Sequence, residues 1–68
     1  MKNTLKVERA RHNMTQADLA EKVQVSRQTI NSIEVGRYVP STILALKIAT
    51  VFKVKVDELF TLEEEDWN

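Results

Sequence analysis

The sequence has no cysteine, only one glycine and one proline, and no net charge. Without cysteine, neither a disulfide framework nor a cysteine zinc site can stabilise the chain. Gly36 and Pro40 enclose one loop, and no other residue breaks the chain strongly, which favours an all-α domain. No apolar run approaches the roughly 20 residues that a membrane helix requires, and no signal peptide is recognisable, so we expect a cytoplasmic protein.

The length of 68 residues allows one small domain with one core, residues 1–68. A chain of this size buries only about 60% of the surface that its unfolded form exposes, so its stability is marginal. Since disulfides and cysteine zinc sites are excluded, we expect dimerisation to supply further stability.

The absence of net charge hides an uneven distribution. All ten lysines and arginines lie at or before Lys55, and residues 1–56 contain only four acids, which gives this part a formal charge of +6. The other six acids lie at or after Asp57, most of them in an acidic tail, residues 61–68. A basic body suits a polyanionic partner. The tail is either a solubilising terminus or a segment that repels nonspecific DNA.

The residue types that enzymes and metal sites need are missing as well. The sequence has no glycine-rich phosphate loop, no nucleophile with a histidine partner and no set of metal ligands. We therefore expect no enzyme activity, no cofactor and no metal. The single histidine, His12, is expected at the surface, at the end of the first helix.

Residues 16–35 have the pattern of two short helices joined by a tight turn. Leu19 and Val23 form an apolar stripe in the first helix, Ile30 and Ile33 form one in the second, and residues 24–26 interrupt the period. The second helix has a polar outward face whose side chains are of the types that hydrogen-bond base edges in a major groove: Arg27, Gln28, Asn31 and Ser32. This combination is typical of a DNA-binding helix-turn-helix.

Five helices are predicted in all, at about residues 4–12, 15–23, 26–35, 41–53 and 56–60. Thr15 and Asp18 have the spacing of a capping box, Ser26 and Ser41 are suitable N-caps, and Gly36 ends the third helix. The segment from Phe60 to Glu63 alternates apolar and polar residues, so it either pairs with residues 1–3 in a short β-ribbon or frays.

The fourth helix has an apolar arc of about 160° that predicts the central core helix. Its members are Leu44, Ala45, Ile48, Ala49, Val51 and Phe52. Ile43 and Leu46 lie outside the arc. Either the preceding loop and the fifth helix cover them, or they form a contact between subunits.

The run from Met14 to Ser41, followed by ALKIATVFKVKVDELF from Ala45 to Phe60, resembles the Cro/C1-type helix-turn-helix family. The resemblance extends over about residues 4–60 and includes Thr15-Gln16, Leu19-Ala20, Val25-Ser26, Ile30, Glu34, Gly36 and Pro40-Ser41. It implies a five-helix, lambda-repressor-like domain that binds an operator as a homodimer and represses transcription. Nothing in the sequence resembles an effector domain, so blocking of polymerase is the simplest mechanism.

The resemblance also implies roles for individual residues. It gives Gln16, Arg37 and Tyr38 contacts with DNA phosphates, and it pairs Arg9 with Glu34. The pair fits the position of Arg9 on the helix face of Leu5, and we expect it to orient the third helix and to face a phosphate. Tyr38 has packing over its loop as an alternative role.

The residues themselves suggest further contacts. Arg27, Gln28, Asn31 and Ser32 are the candidates for base contacts, because the N-terminal part of a recognition helix enters the groove. Thr29 either contacts DNA or bonds its own backbone. The full set of candidate phosphate contacts is Gln16, Ser26, Thr29, Arg37, Tyr38 and Lys6.

Two positions depart from the family pattern. Gln24 stands where glycine is usual, and a left-handed conformation there costs about 1 kcal/mol relative to glycine. Lys55 stands where serine or threonine usually caps the fifth helix, a loss on the order of 1 kcal/mol that lets this helix fray.

The function predicted from these observations is that of a sequence-specific, double-stranded DNA-binding transcriptional regulator. The alternative is an antitoxin or an adaptor that uses the same fold to hold a protein partner, with the acidic tail as its partner segment.

Overall fold

The computed structural model describes residues 1–68, which form five α-helices and a small antiparallel sheet. In chain order the elements are β1 (Lys2–Asn3), α1 (Leu5–Arg11), α2 (Gln16–Val23), α3 (Arg27–Glu34), α4 (Thr42–Phe52), α5 (Val56–Leu59), β2 (Phe60–Thr61) and a 3-10 helix (Glu64–Trp67). The predicted all-α fold class with its terminal β-ribbon is confirmed. No helix has the length and apolar character needed to cross a membrane.

Three helices begin at the N-caps that the sequence predicts. Thr15 accepts a hydrogen bond from the Asp18 N–H at 3.0 Å, and Asp18 accepts one from the Thr15 N–H at 2.9 Å, which completes the capping box. The bond from the Thr15 backbone lowers the pKa of the Asp18 carboxyl. Ser26 and Ser41 accept from the third residue of α3 and of α4, each at 3.1 Å. Side chains therefore satisfy backbone donors that a helix start leaves free.

The first four helices all end in the same way. A residue with positive φ follows each of them: Asn13 at 52°, Gln24 at 62°, Gly36 at 83° and Lys53 at 57°. The next N–H in the chain bonds back to a carbonyl in the last turn, as in the bond from Val25 to Ala20 at 3.0 Å. This is the Schellman pattern, which favours glycine, yet glycine occupies only one of the four positions. The left-handed conformation expected for Gln24 is present.

The core consists of twelve buried apolar side chains from all five helices and from β2. Leu5, Leu19, Ile30 and Ile48 are fully buried at its centre. α2 packs against both α3 and α4, so the predicted apolar stripes of the helix-turn-helix meet the predicted arc of α4. This packing fixes which side of α3 faces outward.

The two ends of the chain meet in the β-ribbon. Lys2 pairs with Thr61, and Asn3 pairs with Phe60. Because Phe60 joins β2, α5 ends one residue earlier than predicted. α5 has no side-chain cap at Lys55, as expected, although the Glu58 carboxylate accepts from the Lys55 N–H at 3.0 Å.

The acidic tail folds back on the N-terminus. The Met1 ammonium lies 2.9 Å from the Glu63 carboxylate and 3.1 Å from the Asp66 carboxylate. Hydrogen bonds that the ammonium donates to these two carboxylates, the one to Glu63 first, raise its pKa. The tail therefore has a structural role that composition alone did not indicate.

Ile43 and Leu46 are not covered within the chain. Their side chains are 70% and 52% exposed, and Val39 beside them is 60% exposed. Cover by the loop and the fifth helix, one of the two alternatives from the sequence, is therefore wrong for these residues, because the loop and α5 leave both side chains largely exposed. We refer to Val39, Ile43 and Leu46 as the α4 surface.

Candidate nucleic-acid interface

The outward side of α3 follows from its buried side. Ile30 and Ile33 are buried to within 1% exposure, while Arg27, Gln28 and Asn31 on the opposite side are exposed and Ser32 is partly so. Residues four apart lie above one another on a helix, so these side chains form two rows, Arg27 with Asn31 and Gln28 with Ser32. The four candidate base contacts thus share one accessible polar surface.

The hydroxyls at the start of α3 are already bonded to one another. Ser26 Oγ lies 2.9 Å from Thr29 Oγ1 and accepts from the Thr29 N–H at 3.1 Å. Thr29 therefore uses its hydroxyl locally, with the Ser26 hydroxyl and not with its own backbone as one of the two expectations had it. The cap leaves the first N–H groups of α3 directed outward, where an anion can accept from them.

The loop after α3 lies against the end of the helix. The N–H groups of Arg37 and Tyr38 both donate to the Ser32 carbonyl, at 2.9 Å and 3.2 Å. Tyr38 is 46% exposed and, with Gln28 and Ser32, lines an open groove of about 460 Å³ between the loop and α3. Arg37 is exposed. The ring of Tyr38 therefore lies beside Gln28 and Ser32, two of the candidate base contacts.

Arg9 and Glu34 form a bidentate ion pair between α1 and the last residue of α3. Arg9 Nε donates to Glu34 Oε2, and Arg9 Nη2 donates to Glu34 Oε1 at 3.0 Å. The third donor, Arg9 Nη1, bonds the Met14 carbonyl at 3.0 Å. The two side chains are only 14% and 7% exposed, and the bond to Glu34 raises the pKa of Arg9. The pair fixes the end of α3 against α1 and the turn that precedes α2.

Gln16, the first residue of α2, joins this ion pair to the recognition surface. Its Nε2 donates to Glu34 Oε1 at 3.2 Å and to Asn31 Oδ1 at 3.1 Å. Neither bond could be predicted from the sequence, because Asn31 and Glu34 lie 15 and 18 residues from Gln16 along the chain. Gln16 thus stands beside the candidate base contacts while its helix N-terminus faces outward.

Two further residues differ in their relation to this site. Lys6 is exposed in the first turn of α1 and makes no hydrogen bond or ion pair with α3. Asn3 of β1 donates from Nδ2 to the Ile33 carbonyl at 2.9 Å and accepts from the Leu5 N–H at 3.2 Å. The β-ribbon therefore supports α3 from behind.

The site contains no feature of a metal centre, since nowhere do three His, Cys, Asp or Glu side chains come together to hold an ion. His12 lies at the surface beside Phe52, with a ring-to-ring distance of 5.2 Å.

Comparison with known proteins agrees with this geometry. A family model described as helix-turn-helix matches residues 5–59. An HTH-type transcriptional regulator of Methanocaldococcus jannaschii is 56% identical over 66 residues, which cover 97% of this chain and 100% of that protein. HTH-type transcriptional regulators of Bacillus subtilis and Archaeoglobus fulgidus are 52% and 47% identical over 66 residues, covering 97% of this chain and 100% and 93% of theirs. This chain belongs to the Cro/C1-type helix-turn-helix family.

Proposed function

We propose that this protein is a transcriptional repressor that binds specific double-stranded DNA as a homodimer and reads the major groove with α3. The observation that carries the proposal is the polar surface of α3, which is exposed while the opposite side of the same helix is buried in the core. Family membership supports DNA binding and transcriptional regulation. We also propose that it acts in the cytoplasm, which is supported by the bacterial and archaeal origin of relatives named as transcriptional regulators.

The proposed base contacts follow from the chemistry of each side chain. Arg27 carries paired donors that match guanine O6 and N7, and Gln28 carries the donor and acceptor that match adenine N6 and N7. Both follow the Ser26 cap directly, at the end of α3 that enters a groove. Ser32 lies one turn further along and can bond either a base or a phosphate.

The proposed phosphate contacts surround this surface. Gln16 opens α2, so its backbone N–H at the helix N-terminus can bind a phosphate. Arg37 and Tyr38 extend from the loop on the far side of α3, and the Ser26–Thr29 cap exposes further N–H groups. Lys6 is the peripheral member of the set. The formal charge of +6 on residues 1–56 favours the polyanion as a whole.

The α4 surface supports a homodimer. α4 buries Leu44, Ile48 and Phe52 on one side yet exposes Ile43 and Leu46 on another. A helix that is apolar on both sides is usually covered on both. Beside Leu46 lies an apolar groove of about 230 Å³ lined in part by Val39, Ala45 and Phe60. A two-fold contact through this surface would pair two copies of α3, one for each half-site. The longest dimension of the folded domain is 34 Å, close to the spacing of about 34 Å between half-sites one helical turn apart.

Selection of binding sites from random duplex DNA tests the proposed recognition. We expect enrichment of two half-sites related by a two-fold axis and separated by about one helical turn. Arg27→Ala should relax the preference at one base position in each half-site. Arg37→Ala should weaken binding to all duplexes alike and reduce the salt slope by about 1. Failure of the wild-type protein to enrich any sequence at low salt contradicts the proposal.

Sedimentation tests the homodimer separately. Ile43→Glu puts a charge on the exposed α4 surface without disturbing the core, so it should convert the dimer to a folded monomer. Val7→Glu is the matched control, since Val7 is 51% exposed on α1. Dissociation by Val7→Glu but not by Ile43→Glu places the contact elsewhere on the molecule.

The exposed apolar α4 surface also fits a second function, that of an antitoxin or adaptor that holds another protein. The two functions differ in whether binding of the partner depends on the exposed side chains of α3. A complex with a partner protein that forms equally well after Arg27→Ala and Gln28→Ala, together with no DNA selection, favours this alternative.

A further inference from the structure

A continuous series of hydrogen bonds runs from the buried ion pair to the surface of α3. Arg9 donates to Glu34 through Nε and Nη2, Gln16 Nε2 donates to the same carboxylate at 3.2 Å, and Gln16 Nε2 also donates to Asn31 Oδ1 at 3.1 Å. Asn31 is exposed and is a candidate base contact.

The direction of every bond in this series is fixed by its first members. A guanidinium can only donate and a carboxylate can only accept, so Gln16 must turn its amide nitrogen, not its oxygen, toward Glu34. The reversed amide would place the Gln16 oxygen against a carboxylate oxygen and leave both without a donor. The second N–H of the same nitrogen then points to Asn31, which must accept the hydrogen bond through its side-chain oxygen.

This leaves Asn31 Nδ2 and its two N–H groups without a partner in the protein, at the exposed end of the side chain. An unconstrained asparagine reads adenine with both of its ends, since it donates to N7 and accepts from N6–H. An asparagine whose oxygen is held back toward the protein presents donors alone. Guanine, with acceptors at both N7 and O6, is the base that matches two donors.

We propose that Gln16 sets the specificity of Asn31, by making it a hydrogen-bond donor that selects guanine over adenine. Gln16 acts as a positioning residue, and any phosphate contact of its own is made through its backbone N–H, because both side-chain N–H groups are used. The inference rests on the proposed function, because it requires α3 to lie in the major groove.

The test is site selection with three proteins: the wild type, Asn31→Ala and Gln16→Met. The position that loses its preference in Asn31→Ala is the one that Asn31 reads, and we expect guanine there in the wild-type site. Gln16→Met keeps the length of the side chain but removes both N–H groups, so Asn31 is free to rotate. We expect the preference for guanine over adenine at that one position to fall roughly tenfold, while the other positions keep theirs.

The control variant is Lys6→Ala, which should lower affinity for all sites and leave the sequence profile unchanged. A purely structural role of Gln16 would give the same uniform result. A measurement on the wild type alone completes the test: replacement of the selected guanine by 7-deazaguanine, which lacks the N7 acceptor, should weaken binding roughly tenfold.

The possible results distinguish a failure of this inference from a failure of the proposed function. A wild-type protein that selects a defined site but prefers adenine at the Asn31 position, or a Gln16→Met variant with an unchanged profile, overturns this inference and leaves the proposed function intact. Failure of the wild-type protein to select any site overturns both.

Discussion

At the scale of the residue, the ion pair between Arg9 and Glu34 holds α3 in place. Each side-chain nitrogen of Arg9 donates a bond, to Glu34 or to the Met14 carbonyl, and both Glu34 oxygens accept bonds, from Arg9 and from Gln16. A charge left unpaired in such a site loses its compensation without regaining water, so removing one partner is costly. The pair therefore stabilises the fold and also fixes the orientation of the polar surface that the fold presents.

Replacement of Glu34 measures this contribution. We expect Glu34→Ala to reduce the free energy of unfolding by about 3 kcal/mol, the low end of the range for buried pairs because both side chains retain slight exposure. In a domain of this size that corresponds to a fall in Tm of roughly 12–24 °C, measurable by circular dichroism. Glu21→Ala is the matched control, because Glu21 is exposed on α2 and forms no ion pair. Equal melting temperatures for the two variants contradict the role given to the pair.

At the scale of the element, the helix ends show where the sequence departs from the best choice of residue. The backbone turns left-handed at four ends, and glycine supplies that conformation at only one of them. Asparagine tolerates the left-handed region better than glutamine or lysine, because its short side chain bonds locally. Strain should therefore be concentrated at Gln24 and Lys53.

Glycine at these two positions should stabilise the protein. We expect Gln24→Gly and Lys53→Gly each to raise the free energy of unfolding by about 0.5–1 kcal/mol, since the relief of strain exceeds the added freedom of the unfolded chain. Asn13→Gly serves as the comparison and should have a smaller effect. Thermal or urea denaturation measures all three. Destabilisation by Gln24→Gly would show that its side chain, which accepts a bond from Lys47 at 3.5 Å, matters more than the strain.

The elements that could be predicted from the sequence are those determined locally. The capping box at Thr15 and Asp18 and the caps at Ser26 and Ser41 depend on residues three apart, so their patterns are visible without the fold. The four polar residues of α3 could be identified as one surface for the same reason, from helical spacing alone. The bonds from Gln16 to Asn31 and Glu34 could not, because they require α2 and α3 to be packed.

The contacts of the acidic tail and the exposure of the α4 surface could not be predicted from local sequence patterns either. The run of acids from Glu63 to Asp66 resembles any solubilising terminus until the ammonium of Met1 is placed beside it. The exposure of Ile43 and Leu46 depends on where the loop and α5 come to rest. Periodicity identified these two residues as outside the core arc, and only the packing excluded cover by the loop and α5.

At the scale of the whole molecule, the two ends of the chain hold each other. The β-ribbon joins them through backbone bonds, the Met1 ammonium joins Glu63 and Asp66, and Asn3 extends the support to the Ile33 carbonyl on α3. These contacts join the N-terminus, the acidic tail and α3. Changes at either end of the chain should therefore alter the free energy of unfolding of the whole domain.

This contact should make stability depend on pH above neutrality. The carboxylates raise the pKa of the Met1 ammonium above 8.0 in the folded protein. The group is then charged and fully stabilising below its unfolded pKa, and its contribution is lost as pH rises through the folded value. We expect Tm to decline as the pH rises above about 8, the ordinary pKa of this group. A Glu63→Gln, Asp66→Asn double variant should start lower and lose this part of the decline, and an identical profile contradicts the contact.

The central claim, that α3 reads the major groove, is tested most directly by NMR titration of the labelled protein with its selected duplex. We expect the largest shifts at the N–H of Arg27 and at the side-chain amides of Gln28 and Asn31, with smaller ones at the start of α2. The indole of Trp67, in the 3-10 helix at the far end of the chain, should stay unchanged. Shifts confined to the α4 surface, with α3 unaffected, would contradict the account.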